Sequence, residues 1–193
     1  MHSMESGQGY SGNSSYRYVE ALITDKSKRL KVICPFISPA YAKMLVRQSA
    51  SKDVFVITSS SRISESAVRI MRRGRRFPYA TLSAYFIILS ILFYAFRFYA
   101  AELVVVPITA LVVGLTVAHY VRPRKQRIKV KVAGESFIHE KVYLSDNSAI
   151  VGSANLTYAG LHKNIEHIEL IHDVNKMRSL EGHFDELWAG IVA

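Results

Sequence analysis

The chain has 193 residues, room for one domain with a proper core, and 25 Lys and Arg against 15 Asp and Glu give it a formal net charge of +10. Hydrophobic residues make up 50% of it, the high end for a soluble protein, and its single cysteine, Cys34, excludes an intramolecular disulfide. There is no CxxC, HExxH or glycine-rich phosphate loop, and no internal repeat, so no metal or cofactor is implied.

Residues 1–15 are polar and rich in Gly and Ser; without an apolar core they are no signal peptide, and they are expected to form a disordered tail. The hydrophobic excess is concentrated from Phe77 to Val121, in two nearly charge-free stretches at about 78–96 and 103–121, joined by a short piece holding Arg97 and Glu102. Each is long enough for a helix of about 20 residues crossing a bilayer, so 77–121 is expected to be a transmembrane hairpin and the lipid bilayer a partner. Arg72, Arg73, Arg75 and Arg76 precede it, and Arg122, Arg124, Lys125 and Arg127 follow it. Positive flanks at both ends imply a multi-pass membrane protein with the remaining domain and both termini on the cytoplasmic side. These flanks also account for most of the net charge, which is therefore weak evidence for nucleic acid. No aromatic-rich basic run in the sequence marks a groove for a single strand. Cys34, in an apolar run, is expected to be a buried core thiol.

A strand is expected from Ile128, where Lys129 and Lys131 alternate with Val130 and Val132. Two more follow, from Ser136 to Leu144 and from Ala149 to Ala154, around the turn cluster Ser145-Asp146-Asn147-Ser148. This window, FIHEKVYLSDNSAIVGSANLT, carries His139, Lys141, Asp146, Gly152, Ser153 and Asn155. A histidine can attack phosphorus, a lysine can neutralise the non-bridging oxygens, and an amide and a hydroxyl can hold those oxygens by hydrogen bonds. Side chains alternate along a strand, so a hairpin folded about Asn147 would set His139 opposite Asn155 and Lys141 opposite Ser153, all on one side. Asp146 falls in the turn, where a carboxylate would repel phosphate, and is expected to fix the turn with its side chain. A helix is expected to start near Asn155-Leu156-Thr157. Glu140 points away from His139 and is expected to be solvated. His162, His167, His172 and His183 show no ligand spacing and are expected to be structural or exposed.

Six fixed positions, H-x-K, four residues, D, five residues, G-S-x-N, resemble the signature of the phospholipase D superfamily. Asn164-Ile165-Glu166 is similar to the family's N-x-E, and Phe184, Leu187 and Trp188 to a motif of its last helix. Arg29–Ile37 and Asp53–Ser59 look like its first two strands, separated by a helix from about Ser38-Pro39. The resemblance implies an α/β fold, a mixed sheet flanked by helices, with 16–76 as the first part of the domain and 122–193 as the second, interrupted by the hairpin.

It further implies His139 as the nucleophile, Lys141, Asn155 and Ser153 as phosphate ligands, Glu166 as the orienter of His139, and Asp146 and Gly152 as structural. Similar enzymes use two signatures. With one copy here, a homodimer sharing its active site is expected. The implied activity is hydrolysis of phosphodiesters through a phosphohistidine without a metal. A nuclease acting on DNA or RNA is the leading expectation, a phospholipid-directed hydrolase or transferase the alternative, and an inactive membrane scaffold the third.

Overall fold

The computed structural model describes residues 7, 9–73, 79–95, 99–121, 127–134 and 137–191. It divides into two compact units, Met1–Arg75 with Gln126–Ala193, and Arg76–Lys125. In the first unit the described strands are β1 (Gly9–Gly12), β2 (Arg29–Ile33), β3 (Asp53–Ser59), β4 (Ile128–Ala133), β5 (Val142–Ser145), β6 (Ala149–Gly152) and β7 (Glu166–Ile171). They form one seven-stranded sheet in the order β1-β7-β6-β5-β2-β3-β4. Strands β2, β3 and β4 are parallel, whereas β5 runs antiparallel to β2 and the rest continue antiparallel. The fold is a mixed α/β sheet flanked by helices.

The central strands are apolar on both faces, as strands covered twice must be. Leu30, Val32, Val54, Val56, Tyr143, Ile150 and Ile168 meet one helical layer: α1 (Tyr16–Thr24), α2 (Pro39–Gln48) and α3 (Arg62–Arg73). Ile33, Phe55, Ile57 and Val142 face the opposite way, onto Phe184 and Trp188 of α7 (Val174–Gly190). Helix α2 begins after Ser38, with Pro39 in its first turn, where a missing N–H costs nothing. Lys131 of β4 is half-buried: its Nζ donates to the carbonyls of Trp188 and Ile191, each at 2.6 Å, and so caps α7.

Three local expectations are corrected. Residues 9–12 are not a disordered tail but β1, paired with β7 from Gly9–Glu169 to Gly12–Glu166; residues 1–6 and 8 lie outside the described residues. An edge strand needs only backbone partners, so its polar side chains gave no signal. The strand expected from Ser136 begins only at Val142, leaving His139 and Lys141 in the segment before it; Ser136 itself lies outside the described residues. The hairpin register also differs by one residue. Val142 faces Val151 and Leu144 faces Ala149, so the axis falls between Asp146 and Asn147, and that register carried on sets Lys141 level with Gly152 instead of Ser153. The cause is a two-residue loop closed by Ser145 and Ser148, whose main chains bond at 2.8 Å.

The second unit contains α4 (Tyr79–Ala95) and α5 (Tyr99–Val121). Hydroxyl pairs Ser83–Thr116 at 2.6 Å and Ser90–Thr109 at 2.8 Å run them antiparallel, while Tyr85, Ile88, Ile91 and Leu111 are exposed. The transmembrane expectation is corrected here: among the described residues no helix is long and apolar enough to cross a membrane. Helix α4 has 17 residues, roughly 25 Å against a hydrocarbon layer of about 30 Å. In α5 the described side chains extend only over 106–117. The multi-pass assignment and the cytoplasmic placement of both termini do not stand.

Candidate active site

Five of the six signature residues, all but Asp146, gather where β5 begins and β6 ends, beside the loop that leaves β2. His139 is exposed, and among the described residues its ring nitrogens have no hydrogen-bond partner; its ring meets Phe137 edge-on at 4.6 Å. Phe137 in turn packs on Phe36 at 5.6 Å. Lys141 is half-buried, and its Nζ donates to the His139 carbonyl at 2.6 Å. An imidazole and an ammonium are thus held on one short extended segment, close to solvent.

Gly152 is required by close approach. A Cβ there would overlap the His167 carbonyl oxygen and lie 2.8 Å from the Ile168 Cα, so β7 could not pair with β6. Beyond it, alternation exposes Ser153, buries Ala154, half-exposes Asn155 and buries Leu156. This strip is fastened from behind. Tyr143 Oη donates to the Ala154 carbonyl at 2.6 Å, the Leu156 N–H donates to Cys34 Sγ at 3.3 Å, and Ser38 N–H donates to the Leu156 carbonyl at 2.8 Å. Cys34 Sγ also lies 3.8 Å from Asn155 Oδ1. Burial pushes the Cys34 thiol up and holds the Tyr143 phenol well above its usual range, so both stay neutral props. Cys34 is the buried thiol expected, but its position under Asn155 had no signal in the sequence.

Glu166 is buried and does not meet His139. Its two carboxylate oxygens accept from Ser153 Oγ and, at 3.1 Å, from Asn164 Nδ2. The Ser153 oxygen then accepts from the His167 N–H at 3.0 Å. A hydroxyl has one proton to give, and here Glu166 takes it. The N-x-E segment therefore braces the end of β6 instead of the histidine. The helix expected near Asn155 is α6 (Tyr158–His162); its cap is Thr157, which accepts from the Gly160 N–H at 3.0 Å.

Asp146 stands apart from this group. It accepts from the Lys28 and Arg29 N–H groups at 2.6 and 3.2 Å and from Arg29 Nε at 3.1 Å, stapling the hairpin tip to β2. The turn itself is held by Ser145 Oγ, which accepts from the N–H groups of Asn147 and Ser148. Glu140 is not simply solvated either: it meets His183 Nε2 at 2.8 Å. His162 is stacked between tyrosines, His167 bonds Ser11 at 2.8 Å, and His172 meets the Asn147 carbonyl. Among the described residues no group of His, Cys, Asp and Glu is placed to hold a metal ion.

The fold is thus an α/β protein, a mixed sheet between helices with an exposed histidine, a lysine and an asparagine at one strand end. The model of the family "Cardiolipin synthase, PLD-like domain" matches residues 19–188, and the chain belongs to the phospholipase D superfamily. Among solved structures it is similar to Nuc of Salmonella typhimurium, a phospholipase D family member, at 16% identity and TM-score 0.57, covering 96% of each chain. It is also similar to NucT of Helicobacter pylori, at 13% identity and TM-score 0.58, covering 97% of this chain and 98% of that one. At such identities the likeness concerns the fold. No protein with a curated description matches the chain in sequence.

Proposed function

We propose that this chain is a phosphodiesterase that cleaves nucleic acid through a covalent phosphohistidine. The observation that carries this reading is the His139 ring: exposed, without a hydrogen-bond partner among the described residues, and on the same segment as Lys141. A histidine retained for packing would be buried or bonded; one kept for attack must be open to its target.

In the first step an imidazole nitrogen of His139 attacks phosphorus and the bond to the leaving oxygen breaks. A second imidazole gives that oxygen its proton. Water then attacks the phosphohistidine, yielding its proton to the second imidazole, and the P–N bond breaks. Lys141 and Asn155 bind the equatorial oxygens as charge builds on them. Ser153, with its proton committed to Glu166, contributes by fixing the strand end that carries Asn155. One chain has one such histidine in the signature, so the second comes from an identical chain across a two-fold axis, giving a homodimer with a shared site. Lys141 supplies the neutralising charge, and turnover is expected to persist with chelator.

A phospholipid-directed reading has one observation in its favour, the description of the matching family model as a cardiolipin synthase domain. One assay separates the two. Wild type and His139→Ala are incubated with single-stranded DNA, RNA and mixed phospholipids, chelator present. Cleavage of nucleic acid by wild type alone is expected; cleavage of lipid alone reverses the assignment, and an active His139→Ala removes the mechanism.

A further inference from the structure

A second feature lies beside the proposed site and takes no part in the chemistry above. Tyr16 at the start of α1, and His162 and Tyr158 on α6, form a ladder of parallel rings. Tyr16 and His162 stack at 4.4 Å and 16°, Tyr158 and His162 at 4.8 Å and 19°. Two rings cannot share one face of an imidazole, so the tyrosines occupy opposite faces. Both outer ends carry a cation: Arg17 lies over Tyr16 at 5.8 Å and Lys163 over Tyr158 at 5.6 Å. The middle ring is fixed from below, where His162 Nε2 meets Tyr41 Oη at 3.1 Å and Glu20 Oε1 at 3.5 Å. Tyr41 Oη donates to the same Glu20 oxygen at 2.7 Å.

Packing alone does not explain this arrangement. Tyr158 is 62% exposed, and Arg17 and Lys163 are exposed as well. An apolar ring held open to water on a rigid base, between two cations, is a poor device for stability and a good one for binding flat, anionic polymers. Helix α6 is seated on the strip that carries Asn155: a Cβ at Gly160 would lie 2.7 Å from the Asn155 carbonyl oxygen and 2.9 Å from its nitrogen. Tyr158 follows Asn155 by three positions and opens the helix seated against it.

We infer that the Tyr16–His162–Tyr158 ladder, with Arg17 and Lys163, is a platform for single-stranded nucleic acid flanking the scissile phosphate. Bases stack on the outer face of Tyr158 as Lys163 turns to an adjacent phosphate, and Arg17 binds the strand at the other end. Base-on-ring stacking tolerates any sequence, because every base has a π face. Single strands fit and intact duplexes do not, since paired bases are already stacked on one another. This deepens the nuclease reading and rests on it for the direction of the strand toward His139.

The test uses the full chain in the His139→Ala background and measures anisotropy of a fluorescein-labelled oligodeoxythymidylate. Tyr158→Ala and Tyr158→Leu are each expected to weaken binding about fivefold or more, while Tyr158→Phe binds like the parent. Lys163→Ala is expected to lower both affinity and its dependence on salt. Heparin, an anion without bases, is expected to bind Tyr158→Leu and parent alike. The platform is overturned if Tyr158→Leu holds the oligonucleotide as well as the parent, or if heparin loses as much as the oligonucleotide. Ring-dependent binding by a His139→Ala protein that still cuts DNA would leave the platform standing and remove the phosphohistidine.

Discussion

The two ends of strand β5 are built on opposite electrostatic terms. At the hairpin tip the charges answer one another. Asp146 is held by Arg29 and two backbone N–H groups, and Glu181 lies 3.2 Å from Arg29 and 3.0 Å from Lys31. Lys31 also meets Asp185 at 2.7 Å and lies 5.3 Å from the Phe184 ring. Nearby, buried Lys52 meets Asp25 at 2.9 Å and donates to the Ile23 and Asp25 carbonyls. A cavity of about 260 Å³ opens here, lined by Arg29, Lys31, Asp146, Arg178 and Glu181 among others. At the far end of β5, His139 has no such partner among the described residues and Lys141 bonds only its neighbour's carbonyl. The end with the cavity is therefore an ion cluster whose charges are paired, and the proposed chemistry belongs to the other end. Pocket size is a poor guide where opposite charges already satisfy each other.

The comparison breaks first at His139. Replacing it with Ala should cut turnover on the order of a thousandfold or more, while Tm stays at the wild-type value because the ring packs on one exposed phenylalanine. A large fall in Tm would make His139 structural, like the residues at the other end. Next in size is Gly152→Ala. The new methyl group meets backbone, which cannot swing aside, so β6 and β7 must part. A loss of about 3 kcal/mol is expected, together with loss of activity, read by denaturant unfolding. A stable and active Gly152→Ala protein would show that β6 and β7 can part without disturbing the site.

What the sequence made legible follows from the kind of signal each feature leaves. The signature residues, β3 and the start of α2 at Ser38-Pro39 were all readable, because each is written in adjacent or regularly spaced residues. The register was not. Ser145, Asp146, Asn147 and Ser148 are all turn formers, so composition alone could not say whether the loop has two residues or three. Nor could it show that Glu166 would meet Ser153. That choice is made by the pairing of β7 with β6, which sets Gly152 opposite Ile168 and carries Glu166 toward the strand end. The ladder of Tyr16, His162 and Tyr158 was hidden for a like reason: Tyr158 and His162 lie four apart on α6, but Tyr16 joins them only through the packing of α1 on α6. The apolar run at 77–121 misled in the other direction: hydropathy alone does not fix the length of a helix, and α4 has 17 residues.

The paired end yields the two smaller effects, and both should spare catalysis. Burial pushes the Asp25 carboxyl up, but hydrogen bonds from Ser27 and Lys52 outweigh it and hold it below its ordinary 3.8. A carboxyl lowered on folding stabilises the protein above the unfolded value, and that contribution is lost as pH falls through the folded one. Wild type should therefore lose Tm more steeply than Asp25→Asn below about pH 4, the two curves converging in acid. At neutral pH the variant is less stable by about 2 kcal/mol, because Lys52 keeps only its carbonyl and hydroxyl partners. Parallel curves would mean that the pair is not what holds Asp25 down.

Asp146→Ala is the smallest. It frees the Lys28 and Arg29 N–H groups to water and ends an ion pair whose arginine is 55% exposed, so about 1 kcal/mol is expected. Although Asp146 is one of the six signature positions, kcat per folded molecule should stay near wild type, since the residue sits at the tip of the hairpin, beyond β5 from His139. A fall in kcat with Tm unchanged would put Asp146 in the chemistry and erase the difference between the two ends.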